Sequence, residues 1–270
     1  MPKIQLADAT LHYVESGAGQ TVVLVHGGLA DYRLWGVLSG ALSPKFKVIS
    51  YSRRGAFPNE APQKDASGIP MHSADLAALI SQLSEGPVHL VGESYGAYVA
   101  AHCALHNPDK VRSLAIDEPP ILPLLMENDS DRAELEHFEN DVLKPVLGCY
   151  KEGKPEDAAR ALLGFLEGSR DVYDSLPGEI KEAIMVNSGA MFEDLKGGFD
   201  GIKREEVAGL NAPTLLMKSE LGPPLLKRVV DHLHLLVPKS AVTEIAGTSH
   251  GTIVDSPAYC ACVLGFLSQF

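Results

Sequence analysis

Three observations predict an α/β fold for this chain of 270 residues. Short apolar runs typical of buried strands alternate with segments of helical periodicity over most of its length. The alternation stops once, between residues 121 and 209, where helical periodicity continues without strands. A G-x-S-x-G pattern, GESYG at residues 92–96, stands between a strand-like run and an alanine-rich helical segment. We therefore predict an α/β core formed by residues 1–120 and 210–270, with a helical cap or lid inserted at residues 121–209.

The strand predictions rest on runs of apolar and β-branched residues bounded by turn residues. The run at residues 21–25 has no polar interruption after Thr21, as expected for a strand that is buried on both faces. Eight runs predict strands, at residues 4–6, 11–14, 21–25, 47–51, 88–91, 111–116, 214–217 and 241–245.

The helix predictions rest on apolar residues at helical spacing and on start and stop signals. Ser73 is expected to cap the helix before the G-x-S-x-G strand, and Ser256-Pro257 to start the last helix. The predicted helices cover residues 32–42, 73–83, 97–105, 132–147 and 223–236, with others beginning at Pro155, Pro177 and Ser256.

Composition excludes several classes of function. The formal charge of −12 argues against nucleic acids and anionic membrane surfaces as partners, because both attract a basic face. No apolar run is long enough to span a bilayer. The first residues lack the apolar core of a secretory signal, and none of the four cysteines forms a C-x-x-C pair. We therefore expect a cytoplasmic protein with reduced cysteines.

The stretch at residues 92–96 is typical of a nucleophile elbow. Such a turn between strand and helix raises the serine, here Ser94, clear of the sheet and directs the first amides of the helix at its target. Gly92 and Gly96 are explained by crowding, since side chains there would collide with the neighbouring strand and helix.

Together with His26-Gly27-Gly28 and with Gly247-Thr248-Ser249-His250, this elbow makes nearly the whole chain resemble a cap-bearing member of the α/β-hydrolase superfamily. The resemblance implies a mostly parallel sheet of eight strands with helices on both faces. It also implies a nucleophile, an acid and a histidine in that chain order, here Ser94, an acid to be assigned, and His250 as the base. The oxyanion would be bound by the backbone amides of Tyr95 and Gly28, with Leu29 as an alternative donor, and His26 would brace the oxyanion loop.

The acid departs from the common pattern. Members of the superfamily usually carry Gly-x-x-Asp after the seventh strand, but here Gly222 stands at the position of the aspartate. Glu118, which ends the sixth predicted strand, is the preferred candidate because some members carry their acid there and Pro119 would hold it rigidly. Glu220 is the alternative. Asp117, Asp255 and the absence of any catalytic acid are further alternatives.

The resemblance favours a serine hydrolase that cleaves a small carboxylic ester or lactone through an acyl-enzyme. Ser94 in place of an aspartate argues against dehalogenase and epoxide hydrolase chemistry. We expect no cofactor and no metal site, and Arg53-Arg54 is interpreted as structural in preference to anion-binding. The alternatives are a C–C bond hydrolase, an amidase, a cofactor-free haloperoxidase and a ligand receptor with vestigial activity. The sequence also allows a homodimer.

Overall fold

The computed structural model describes residues 1–61 and 67–270. Its centre is one sheet of eight strands in the order β1-β2-β4-β3-β5-β6-β7-β8. The first two strands pair antiparallel with their neighbours, and all the other neighbouring pairs are parallel. The strands are β1 Lys3–Gln5, β2 Thr10–Ser16, β3 Thr21–Val25, β4 Lys47–Tyr51, β5 Val88–Glu93, β6 Val111–Asp117, β7 Thr214–Ser219 and β8 Ser240–Ile245. The predicted fold class and all eight predicted strands are confirmed.

Twelve α-helices connect and cover these strands within the described residues. They are α1 Gly36–Leu42, α2 Ile69–Leu83, α3 Ser94–His106, α4 Asp129–Phe138, α5 Lys144–Lys151, α6 Pro155–Leu166, α7 Val172–Ser175, α8 Gly178–Val186, α9 Ser188–Gly197, α10 Arg204–Val207, α11 Pro224–Leu236 and α12 Pro257–Leu267. None of the helices in the described parts of the chain has the length and apolarity needed to cross a membrane.

The two faces of the sheet carry separate hydrophobic clusters because successive strand residues point to opposite faces. Val23 and Val25 of β3 belong to the cluster with α2, α3 and α11. Val22 and Leu24 of the same strand belong to the cluster with α1 and α12. The strand is therefore buried on both faces, as its unbroken apolar run predicted.

Helices α4 to α10 lie between β6 and β7, and residues 121–209 are called the inserted segment below. This segment has small apolar clusters of its own, one around Val146 and Leu162 and another around Tyr173. Because β6 ends on the same edge of the sheet as β5, the segment leaves the sheet beside Ser94.

Several helices differ from the predictions, among them the helix predicted at residues 32–42, which is a 3-10 turn at Tyr32–Trp35 followed by α1. Helix α2 begins at Ile69 with Pro70 in its first turn, so Ser73 is an interior residue and its predicted role as N-cap is wrong. The helix predicted at residues 132–147 is instead α4, a π-helical turn at Glu139–Leu143 and α5 in succession. The segment opened by Pro177 is interrupted at Asn187, which separates α8 from α9.

Candidate active site

Ser94 stands on a strained turn at the carboxyl end of β5. Its φ of 52° lies in the left-handed region, which non-glycine residues rarely adopt. A Cβ atom on Gly96 would lie 2.2 Å from the carbonyl oxygen of Val25, and one on Gly92 would lie 2.8 Å from Cα of Ala97. The turn therefore requires both glycines for the reason inferred from the sequence.

Glu118 and His250 form a buried pair next to this turn. Nδ1 of His250 lies 2.5 Å from Oε2 of Glu118. The other carboxylate oxygen, Oε1, accepts hydrogen bonds from the backbone amide of Ser219 at 2.9 Å and from its hydroxyl at 2.6 Å. Glu118 follows β6 with a φ of 43° and is fully buried. Three donors thus hold the carboxylate in one orientation toward the imidazole.

The electrostatics of this pair favour its ionised form. Burial opposes the charge on His250, but its hydrogen bond to Glu118 and the charges of Glu118, Glu93 and Asp117 outweigh burial and raise the pKa of His250 to about 9. Burial likewise opposes ionisation of Glu118, but its hydrogen bonds with His250 and Ser219 and the charge of His250 lower the pKa of Glu118 below its ordinary value.

Two further carboxylates lie near the imidazole, and the sequence interpretation missed one of them. Oε1 of Glu93, the residue before Ser94, lies 3.5 Å from Nε2 of His250. Asp117 accepts a hydrogen bond from the hydroxyl of Tyr259 at 2.7 Å, and burial together with the charge of Glu93 raises the pKa of Asp117 well above its ordinary value. The signal for Glu93 was available, because an acid at the end of a fully buried strand is unusual.

The alternative acid, Glu220, lies elsewhere. Its Oε2 accepts a hydrogen bond from the backbone amide of Gly247 at 2.7 Å. A Cβ atom on Gly222 would lie 2.2 Å from the Ser219 hydroxyl and 2.4 Å from Oε1 of Glu118. The glycine at the usual aspartate position therefore leaves room for the carboxylate that arrives from β6.

The two expected oxyanion donors border the same space as Ser94. Tyr95 lies in the first turn of α3, where backbone amides have no partner within the helix. Gly28 lies in the loop after β3 with Met191 of the inserted segment against it, so that a Cβ atom would come 2.4 Å from the Met191 sulfur. Leu29, the alternative donor, has a φ of 54°.

Ser94, His250, Gly28 and Tyr95 all line one cavity of about 460 Å³ between the sheet and the inserted segment. Among the described residues, the Ser94 hydroxyl makes no hydrogen bond to His250, whose Nε2 faces Glu93 instead. Such contacts are commonly long without substrate and shorten when substrate binds. The wall is largely aliphatic and aromatic: Leu29, Leu34, Val37, Leu122, Phe138, Leu162, Leu163, Phe165, Leu166, Ile180, Ile184, Met191, Leu195, Phe199, Leu225, Leu226 and Val254.

Arg53 and Arg54 are both engaged with carboxylates. Arg54 binds Asp75 and Asp8, and Arg53 binds Asp194 of the inserted segment at 2.9 Å. Across residues 1–61 and 67–270, no group of three or more His, Cys, Asp or Glu side chains is arranged to hold a metal ion.

Comparison with known proteins identifies the family of this chain. The family model described as the alpha/beta hydrolase fold matches residues 20–257. Over 163 residues the chain is 27% identical to the uncharacterized hydrolase YraK of Bacillus subtilis (strain 168), which covers 59% of this chain and 60% of that protein. Over 106 residues it is 33% identical to the soluble epoxide hydrolase of Corynebacterium sp. (strain C12), covering 39% of this chain and 37% of that one. The chain thus matches less than two thirds of the length of either relative.

Solved structures are similar over nearly the whole chain. The enol-lactonase of Burkholderia xenovorans LB400 superposes with a TM-score of 0.80 and 19% identity, covering 99% of this chain and 100% of that one. A thermophilic esterase of Thermogutta terrifontis superposes with a TM-score of 0.79 and 20% identity, covering 100% and 99%. With the family model matching most of its length, the chain belongs to the α/β-hydrolase fold family.

Proposed function

We propose that this protein is a serine hydrolase that cleaves a neutral carboxylic ester or lactone through an acyl-enzyme on Ser94. The observation that carries the proposal is the presence of one strained serine and of His250, which is paired with the buried Glu118, on the wall of the same apolar cavity. Esterase and lactonase activities are named for structural neighbours, and they are in keeping with this choice.

The chemistry would proceed in two halves. Oγ of Ser94 attacks the carbonyl carbon while Nε2 of His250 takes the hydroxyl proton, and Glu118 stabilises the resulting imidazolium. The amides of Gly28 and Tyr95 bind the oxyanion of the tetrahedral intermediate. His250 then returns the proton to the leaving alcohol, and a water molecule, deprotonated by His250, releases the acid and regenerates Ser94.

The inserted segment would serve as the cap of this site. Its Leu162, Ile184 and Met191 face the cavity from one side, whereas Val37 and Leu225 of the core face it from the other. An apolar wall of this kind suits the hydrocarbon part of an ester, since burying it releases water from both surfaces.

The test is Ser94→Ala, measured as turnover of p-nitrophenyl esters and as labelling by a fluorophosphonate. We expect turnover to fall to the background rate and labelling to disappear. Ser268→Ala, an exposed serine after α12, is the matched control and should keep both. Undiminished turnover by the Ser94 variant would refute the assignment, and ligand binding without turnover or labelling in the unmodified protein would favour a receptor.

A further inference from the structure

The guanidinium of Arg53 lies buried beneath the oxyanion loop, with 3% of its side chain exposed. Nε donates to the carbonyl oxygen of His26 and Nη2 to that of Gly27, both at 2.9 Å. Nη1 donates to Oδ2 of Asp194 at 2.9 Å. Because these three nitrogens all donate to groups of the protein, Arg53 is placed to support the chain around it and not to bind a substrate anion.

The contact with Gly27 acts on the expected oxyanion donor itself. The carbonyl of Gly27 and the amide of Gly28 belong to one planar peptide unit, which is trans, so its N–H points away from its oxygen. Fixing the oxygen therefore fixes the direction of the Gly28 N–H. A charged donor on that oxygen also polarises the peptide, which makes its N–H a stronger donor.

His26 adds a second donor to the same oxygen. Its Nδ1 lies 2.9 Å from the Gly27 carbonyl oxygen, and its Nε2 accepts a hydrogen bond from the backbone amide of Arg53 at 2.9 Å. This pattern requires a neutral ring with the proton on Nδ1. Burial and the neighbouring charge of Arg53 lower the pKa of His26 to about 3, in agreement with a neutral ring. Arg53 thus holds the Gly27–Gly28 peptide both directly and through His26.

Arg53 is itself held from the inserted segment. Asp194 of α9 is buried and also accepts hydrogen bonds from Nε2 of His72 and from the hydroxyl of Ser67, each at 2.7 Å. Burial opposes its charge, but Arg53 and His72 outweigh burial and hold the pKa of Asp194 well below its ordinary value. Three residues earlier on the same helix, Met191 packs against Gly28.

We propose that Arg53 is a positioning residue for the oxyanion hole, orienting and polarising the Gly27–Gly28 peptide, and that Asp194 holds it in place. The inference rests on the proposed function. Arg53 also reaches the other expected donor residue, since its guanidinium carbon lies 4.9 Å from the centre of the Tyr95 ring. The inserted segment is then a structural part of the catalytic apparatus in addition to covering the cavity.

The experiment compares Asp194→Asn with Asp131→Asn. Asp131 is a matched control because its buried carboxylate also joins the inserted segment to the core, through Arg228 and His232 of α11, without contacting the oxyanion loop. We expect Asp194→Asn to lower kcat by about 10- to 100-fold with KM within about twofold, since full loss of one oxyanion donor costs more. Asp131→Asn should keep kcat within about threefold.

A second measurement separates positioning from general destabilisation. The affinity of a trifluoromethyl ketone, which forms a tetrahedral adduct with the serine, should fall in Asp194→Asn by the same factor as kcat/KM, while the affinity for the carboxylic acid product stays unchanged. If Asp194→Asn does not fold, Arg53→Lys is measured in the same way, because a lysine ammonium lacks the planar fork that serves both carbonyls and the carboxylate.

Equal losses of kcat in the Asp194 and Asp131 variants, or a change confined to KM, would overturn the inference. Those outcomes leave the proposed function intact as long as turnover still depends on Ser94. Turnover that survives Ser94→Ala would instead refute the proposed function itself.

Discussion

The imidazole of His250 lies beside the carboxylates of Glu118 and Glu93, and the hydrogen bond and charge of Glu118 do most to keep its proton in place. A general base must be neutral to accept a proton from serine. With a pKa of about 9, His250 is mostly protonated at neutral pH and becomes a base only as the pH rises. In the proposed mechanism, the strength of the His250–Glu118 pair therefore sets the pH range in which Ser94 can react.

The first prediction concerns the pH dependence of kcat/KM, whose direction follows from the raised pKa of His250. We expect kcat/KM to increase with pH and to level off above about pH 9. Burial raises the pKa of Glu93, while the charge of His250 lowers it. Glu93→Gln removes the charge that the ionised carboxylate places 3.5 Å from Nε2, and it should therefore move this rise to lower pH by about one unit.

Glu220→Gln is the control for this pH profile. This substitution also removes a carboxylate, but one that accepts a hydrogen bond from the Gly247 amide. The pH at which kcat/KM rises should therefore stay unchanged. A profile that is unchanged by Glu93→Gln would contradict a charged Glu93 beside the imidazole.

At the level of strands, the proposed acid, Glu118, stands at the end of β6, whereas the common pattern has it after β7. Gly222 at the usual position leaves space that the Glu118 carboxylate and the Ser219 hydroxyl fill. The two strands are adjacent and parallel, so their carboxyl ends reach the same histidine. Either strand can therefore carry the acid, provided that the other leaves room for it.

A relocation experiment checks this account. Glu118→Ala should lower kcat by about 10³- to 10⁴-fold, by analogy with loss of the acid from other triads. Adding Gly222→Asp to that variant should recover about 10-fold or more, because the loss of Glu118 frees the Ser219 hydroxyl to rotate away and the new carboxylate enters the vacated space. Gly222→Asp alone should be harmful, since its side chain would collide with Glu118.

The control for relocation is Leu221→Asp in the Glu118→Ala background. Leu221 is 65% exposed, so its replacement adds the same carboxylate one residue away without directing it into the site. A rescue of equal size at both positions, or at neither, would show that Gly222 does not mark the space of the acid.

Predictions from the sequence succeeded where a local pattern carries the information. The eight strands, the elbow and the last helix starting at Ser256-Pro257 follow from periodicity, glycine crowding and capping over a few residues. The N-cap prediction for Ser73 was wrong because Pro70 also suits a first helical turn, and α2 begins one turn earlier, at Ile69. A structural Arg53 was predicted, but its contact with Asp194 could not be, since 141 residues separate the two in the sequence and only the fold brings them together.

At the scale of the whole molecule, the charges around the cavity bear on which esters can enter it. Arg33 is a cation on its wall, but its guanidinium is held by both oxygens of Asp31, at 2.8 and 2.7 Å. The other charged groups on the described wall, apart from His250, are the carboxylates of Glu93, Glu167 and Asp255. An anionic group on the substrate would therefore meet repulsion without a free counter-ion.

We expect a neutral p-nitrophenyl hexanoate to be hydrolysed with a kcat/KM about 10-fold or more above that of the mono-p-nitrophenyl ester of adipate, which adds one carboxylate. Asp31→Asn should narrow this ratio, because it releases the Arg33 guanidinium. Measuring both substrates with each variant cancels any general loss of activity. A preference for the anionic ester in the unmodified protein would contradict this reading of the cavity.

Helix α9 presents Met191 to Gly28 and Asp194 to Arg53, so one helix of the inserted segment touches the oxyanion loop at two points. The inserted segment therefore cannot be exchanged between relatives without also affecting the oxyanion loop. A grafted segment that lacks equivalents of Met191 and Asp194 would change the pocket. It would also remove two contacts that hold the oxyanion loop in place. Substitutions that reshape the pocket therefore have most freedom on α6 and α8, whose cavity-lining side chains can change while Met191 and Asp194 of α9 keep their contacts with Gly28 and Arg53.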